Sequence, residues 1–256
     1  MHIAFLTSEY PPLPTGGIGT SIRNLSQALV AQGHRVTVLG WGHDAEFEDH
    51  GVCIRFLGET SIPKMGWLLN RGHIQRELNH LVHDEGVDIV EAPDWCGLSA
   101  GLRPACPVVI RCHGSATYFA HLLKERVRPS VRWAEGLALQ QADNVVAVSR
   151  FTAGITHRLF RLANPVGVLP NSIDIGQFNP ADEDEIEEDT ILYLGTLVRK
   201  KGVLDLSRIF SMVVEERPQA RLWLVGRDAA DKRTGSASTW ALCRELLSPA
   251  ARKRIE

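Results

Sequence analysis

His113 closes the segment Ile110-Arg-Cys-His113-Gly114, just past an apolar run of strand length. Open α/β sheets bind ligands at the carboxyl ends of their strands, so an imidazole there can meet a substrate. A lone histidine otherwise serves structure. A second candidate is Gly195-Thr196-Leu197-Val198-Arg199-Lys200-Lys201-Gly202, which follows one apolar run and precedes a helical one. Three consecutive cations with no acid among them could hold an anion, most simply a diphosphate. The same residues also read as a basic surface turn. The third candidate is Thr15-Gly16-Gly17-Ile18-Gly19, between a strand and a helix, where free backbone N–H groups and the helix dipole favour an anion. That loop is either such a site or a plain tight turn.

Two nucleotide motifs are excluded. After Gly17 and Gly19 the third glycine of a dinucleotide fingerprint would fall at Ile22, and no acidic residue ends the second strand, where Gly40-Trp41-Gly42-His43 stands. No Gly-Lys-Ser/Thr of a Walker A loop occurs. His80 and His83 share a helix face at i, i+3, but no third ligand accompanies them, so a solvated face is the better reading and no metal site is expected.

These candidates need a scaffold, and the apolar pattern supplies one. Ile3 to Thr7, Val36 to Leu39, Val52 to Leu57, Val87 to Val90, Val108 to Cys112 and Val145 to Val148 read as strands. Helices are expected from a Thr20 or Ser21 cap through Ile22, Leu25 and Leu29 to Gly33, from Trp67 to His83, and from 130 to 142. The strands are continuous apolar runs, as in a parallel sheet covered on both faces. The fold class is α/β, a Rossmann-like doubly wound layer structure. The acidic run 182–189 reads as a linker, giving domains 1–180 and 181–256. Beyond it the alternation restarts with a strand from Ile191, a helix from Val203 to Glu216, a strand from Arg221 to Val225 and a helix near Thr239 to Leu247.

Composition narrows the function. The 256 residues carry 28 Lys and Arg against 30 Asp and Glu, a net charge of −2 that gives no global field for a nucleic-acid backbone. Five cysteines without a C-x-x-C pair indicate a reducing compartment, and no signal or anchor pattern opens the chain, so a cytoplasmic location is expected. The sequon Asn24-Leu25-Ser26 falls inside an expected helix. Residues 118 to 133 mix Phe119, Leu122, Leu123, Val127 and Trp133 with Lys124, Arg126, Arg128 and Arg132. Such a mixture suits weak peripheral association with the inner membrane surface, or an ordinary solvated helix pair interrupted at Pro129.

The chain resembles glycosyltransferase family 4, retaining enzymes with two Rossmann-like domains in the GT-B fold. The resemblance is carried by Phe5-Leu-Thr-Ser-Glu-Tyr-Pro-Pro12, Gly16-Gly17, Gly33-His34-Arg35-Val36, His113-Gly114, Ala142-Asp143 to Ser149, Leu169-Pro-Asn-Ser-Ile-Asp174 to Phe178, and Gly195-x-Leu-x-x-x-Lys201-Gly202. It implies that His113 lies against the donor sugar, that Lys201 binds the donor diphosphate, and that Gly16 and Gly17 close over the phosphates and shape the acceptor side. Thr196 stands where the family often has arginine, and the resemblance leaves Arg199 or Lys200 to replace that cation. Asn171-Ser172 replaces the usual Asn-Gly. The family's two glutamates separated by seven residues are absent, so the sequence resembles an acceptor domain followed by about the first half of a donor domain.

The implied reaction, of hexosyltransferase type, moves a sugar from a nucleotide-diphosphate donor to an acceptor hydroxyl on a glycan, lipid or small molecule, without a cofactor or metal. The 256-residue chain is expected to be inactive alone, with Leu222, Leu224 and Val225 exposed on an unfinished second domain and first proteolysis between Asp182 and Asp189. The rivals are a non-catalytic glycan- or lipid-binding module and a nicotinamide oxidoreductase, which the failed glycine fingerprint undercuts.

Overall fold

The computed structural model describes the chain apart from residues 14, 43, 60–65, 178–181 and 183–185. It divides into two compact units, Met1–Phe178 and Asn179–Glu256. In the first unit the order is β1 (His2–Thr7), α1 (Gly17–Ala31), β2 (Arg35–Gly42), β3 (Ala45–Asp49), β4 (Val52–Gly58), α2 (Gly66–His83), β5 (Ile89–Pro93) and β6 (Val108–Cys112). Then follow α3 (Ala116–Leu123), α4 (Pro129–Gln141), β7 (Asn144–Ala147), α5 (Arg150–Phe160) and β8 (Gly167–Val168). The eight strands form one sheet in the order β3-β4-β2-β1-β5-β6-β7-β8. All neighbours are parallel except β3, which runs antiparallel to β4 at the edge.

Alternate residues of each apolar run serve opposite faces, which is why the runs are continuous. On β1, Ala4 and Leu6 pack with Ile74, Leu78 and Leu81 of α2, whereas Phe5 packs with Ile22 of α1 and with Val36, Val38 and Phe56. A third cluster joins Ile110 and Cys112 of β6 to Ala134 and Ala138 of α4 and Phe160 of α5. Each fully buried large side chain contributes about 1.5–3 kcal/mol. The switch in strand order between β1 and β5 places the chain's crossovers on both faces and opens a crevice beyond the carboxyl ends.

Several expectations are corrected. Helix α1 begins earlier than Thr20, with Gly16 at its N-cap. The strand expected at Val87 to Val90 is shifted to Ile89–Pro93, because Val87 N donates to Leu81 O and closes the turn after α2. Pro129 does not interrupt a helix: it occupies the first turn of α4, where its missing N–H costs nothing. Residues 118 to 133 are therefore two helices, the first ended by Lys124 in the left-handed conformation. Among the described residues no helix is long and apolar enough to cross a membrane.

The second unit holds β9 (Thr190–Leu194), α6 (Val203–Glu216), β10 (Arg221–Val225) and α7 (Thr239–Leu246), with β9 and β10 parallel. Leu222 is fully buried rather than exposed, packed with Phe210, Val214, Leu247 and Ala251, and Leu224 is half-buried beside it. The final residues close this core: Leu222 N donates to Arg254 O (2.9 Å), and Leu224 N donates to Glu256 O (2.8 Å). Of the three, only Val225 is exposed, and the larger open apolar surface lies on β9, where Leu192 and Leu194 are 60% and 72% exposed.

Candidate active site

His113 follows β6 directly and is half-buried. Burial, then the charge of Arg111, lowers its pKa to about 4, so the ring is neutral near pH 7. Its Nδ1 lies 3.4 Å from Asn171 Nδ2. Arg111 fixes the loop that carries Asn171. Its guanidinium donates to both Glu91 oxygens (2.7 and 3.0 Å) and to Leu169 O (3.1 Å).

The backbone at His113 is held by a residue that sequence reading did not single out. Asp94, at the carboxyl end of β5, is buried, and its two oxygens accept from His113 N (3.0 Å) and Gly114 N (3.2 Å). Burial pushes its carboxyl up to about 7, against the pull of those two amides, with Glu135 raising it further. Glu135 is itself buried and accepts from Cys96 N (3.2 Å), Ala116 N (2.8 Å) and Thr117 N (3.1 Å), so it ties the turn after β5 to the start of α3. That turn needs Gly97 (φ +61°), where a Cβ would sit 2.3 Å from the Ala134 carbonyl carbon of α4. Gly97→Ala should therefore lower the unfolding free energy by at least about 1–2 kcal/mol, the cost of the left-handed conformation alone, as read from a urea midpoint. The only sequence signal for Asp94 was its place beyond a strand end.

Gly16 and Gly17 begin α1, but the amides expected to meet phosphate are partly taken. Glu9 accepts from Gly16 N (2.8 Å) and Gly19 N (2.9 Å), one oxygen to each. This is an N-terminal cap supplied from the preceding loop, favourable to the helix dipole. Glu9→Ala should cost about 1 kcal/mol of stability, and a thermal melt of the variant beside wild type measures it.

In the second unit Gly195, Thr196, Arg199, Lys200 and Lys201 share the loop between β9 and α6. Gly195 has φ +142°, and a Cβ there would lie 2.8 Å from Lys201 Nζ, so the ammonium rests against the glycine. Lys201 is exposed, and while its backbone N donates to Val198 O (3.0 Å), its side chain makes no hydrogen bond or ion pair with a described residue. Arg199 differs: Nε and Nη2 donate to the two oxygens of Asp231 (3.0 and 2.7 Å). Of the two cations expected to replace the missing one at Thr196, Arg199 or Lys200, Arg199 is thus already engaged, and the pair holds the Asp231 carboxyl well below the usual range. Thr196 offers its carbonyl to Tyr193 Oη (3.0 Å). Among the described residues no group of three or more His, Cys, Asp and Glu side chains is placed to hold a metal ion.

Comparison with known proteins gives this arrangement a family. A model of Glycosyltransferase Family 4 matches residues 15–177. An uncharacterized glycosyltransferase of Methanocaldococcus jannaschii is 26% identical over 246 residues, covering 88% of this chain and 63% of that protein. A glycogen synthase of Mycobacterium tuberculosis is 24% identical over 257 residues, covering 88% of this chain and 61% of its own length. The chain thus spans about three fifths of the length of these curated relatives. Among solved structures, a glycosyltransferase involved in avilamycin A biosynthesis superposes with a TM-score of 0.56 at 19% identity, covering 100% of this chain and 62% of that one. The fold is GT-B-like, and with more than half its residues matched to the family model the chain belongs to glycosyltransferase family 4.

Proposed function

We propose that these residues supply the acceptor side and the first part of the donor side of a retaining glycosyltransferase that uses a nucleotide-diphosphate sugar. The observation that carries this reading is the state of His113. It is a neutral imidazole with one ring N–H, set at the carboxyl edge of the sheet by Asp94 and Asn171. Such a group donates a hydrogen bond to a sugar hydroxyl without bringing a charge that would compete for the diphosphate.

In this reading Lys201 meets the diphosphate. The leaving group gains negative charge as the glycosidic bond breaks, and a fixed cation beside it stabilises that change more than it stabilises the bound donor. The N–H groups at the start of α6 add to it. No divalent cation is required by this proposal, so EDTA should leave turnover unchanged. The incoming hydroxyl loses its proton to the departing phosphate on the same face, which gives retention without a pair of catalytic carboxylates. On its own the 256-residue chain is proposed to bind diphosphate weakly without turnover, since its second unit presents a two-stranded sheet with apolar β9 residues in solvent.

The test is proton NMR of reactions containing UDP, GDP or ADP sugars, a hydroxylated acceptor and protein expressed from the full coding sequence. A new anomeric signal with the donor's configuration, together with released nucleoside diphosphate, supports the reading. An inverted anomer, or reduction of NAD in place of sugar transfer, contradicts it.

A further inference from the structure

On the same carboxyl edge of the first unit's sheet as His113 lies a cavity of about 460 Å³ walled by three tryptophans. Trp41 comes from the end of β2, Trp95 from the turn after β5, and Trp67 from the first turn of α2, with Ser8 and Glu59 following β1 and β4. A second cavity of about 520 Å³ shares Trp67 and Cys96 with it and continues along Val131, Trp133 and Ala134 of α4. Four of the chain's six tryptophans thus line a path of two cavities that share Trp67 and Cys96. Trp67 and Trp133 are 50% and 60% exposed, an unfavourable placement for such large apolar surfaces unless something covers them.

The Trp67 ring is a fixed platform. Arg71 lies over it at 4.3 Å, and the same guanidinium donates to Gly97 O (2.8 Å), Leu98 O (2.9 Å) and Ala100 O. These bonds immobilise the arginine but leave its positive charge without an anionic partner, and its Nε is buried without a hydrogen bond. Burial lowers the Arg71 pKa to about 10, which still leaves it charged at neutral pH. The first cavity therefore offers aromatic faces, the polar groups of Ser8 and Asn70, and one carboxylate, Glu59, that pairs with no described residue. Its one cation among the described residues is Arg71, held by the three carbonyls. The second cavity is apolar along α4.

We infer that this path is the acceptor site and that it takes a neutral glycoside carrying an apolar aglycone, with the sugar ring between Trp41, Trp67 and Trp95 and the aglycone along Trp133. The inference rests on the glycosyltransferase reading for the word acceptor, but the binding itself does not. Sugar rings present C–H faces that stack on indoles and hydroxyls that bond to Glu59 and Ser8. A phosphorylated sugar would bring a dianion beside the exposed Glu59 carboxylate, with Arg71 held back by its bonds to Gly97, Leu98 and Ala100.

The experiment is ligand-observed saturation-transfer NMR on the 256-residue chain, with no donor present. The probes are octyl and 4-nitrophenyl glycosides of glucose, galactose and mannose, the free sugars, and glucose 6-phosphate. Octyl and aryl arms separate a lipid-like aglycone from an aromatic one. At least one glycoside should bind ten-fold or more tightly than its free sugar and than glucose 6-phosphate. Trp67→Ala should weaken it ten-fold or more, Trp67→Phe less, and Trp133→Ala should erase the advantage of the aglycone while sparing the free sugar. Glu59→Lys should narrow the discrimination against glucose 6-phosphate. Binding of glucose 6-phosphate as tight as any glycoside, or glycoside binding indifferent to Trp67→Ala in a folded variant, overturns the inference. Glycoside binding in a protein that never binds a nucleotide sugar would instead sink the transfer reading and leave the pocket standing.

Discussion

Replacing Lys201 by alanine is expected to slow sugar transfer roughly 10²- to 10³-fold, equivalent to about 3–4 kcal/mol of transition-state stabilisation. The side chain is exposed, rests on Gly195 and makes no bond with a described residue, so its removal disturbs no internal contact of the second unit. The loss should therefore fall on turnover and diphosphate affinity and leave the melting temperature unchanged. Steady-state rates of nucleoside diphosphate release, from protein expressed from the full coding sequence, measure it beside the melt. Arg199→Ala should behave in the opposite way. Arg199 holds Asp231, and breaking that pair strands a carboxylate that Thr234 alone then stabilises. Its effect should appear in stability before it appears in rate.

The second large effect is expected at Asp94. Asp94→Ala removes the acceptor from two buried amides, His113 N and Gly114 N, and each unpaired buried donor costs about 1–3 kcal/mol. The variant should lose roughly 2–6 kcal/mol of stability on that basis, together with the placement of His113. Asp94→Asn separates charge from packing. Its oxygen can still accept from one amide, while its NH2 faces the other donor.

The pH dependence has a definite sign. The folded pKa of Asp94 is raised from 3.8 to about 7, so its contribution to stability is full below pH 3.8 and is lost as pH rises through 7. His113 acts oppositely: its pKa falls from 6.5 to about 4, so stability rises with pH across that window. The stability gap between wild type and Asp94→Asn should accordingly shrink between pH 4 and pH 8, which urea titrations at several pH values can read. A gap that widened with pH would show Asp94 ionised in the folded protein throughout.

Much of the scaffold is legible in the sequence because parallel strands buried on both faces leave unbroken apolar runs. Helix α6 runs over the expected Val203 to Glu216, and the strands at Val108 and Arg221 match residue for residue. Strand β3 escapes that signal. Its Ala45-Glu-Phe-Glu-Asp49 alternates at a sheet edge, with charge toward solvent, and no continuous run marks it. The N-terminus of α1 is misplaced for another reason: its cap is the Glu9 side chain, which precedes Gly16 by seven residues and reaches it only through the fold of the loop.

The site divides along the same line. His113 and Lys201 stand out because a strand end or a glycine-flanked cluster lies in consecutive residues. Asp94, Glu135 and the Arg199–Asp231 pair do not, since each partner lies 18 to 39 residues away in sequence. The tryptophan path is similarly invisible: Trp41, Trp67, Trp95 and Trp133 belong to four different elements, and the sheet topology alone brings them to one edge.

The measurement closest to the central claim is a residue-resolved NMR titration of the isotope-labelled 256-residue chain with UDP, GDP and ADP sugars, and with NAD for comparison. The expected result is that at least one nucleotide sugar shifts the amides of Gly195 to Gly202, weakly but saturably, and that the shifts vanish in Lys201→Ala. Shifts produced by NAD at the glycine loop of α1, with none at Gly195 to Gly202 from any nucleotide sugar, would contradict it.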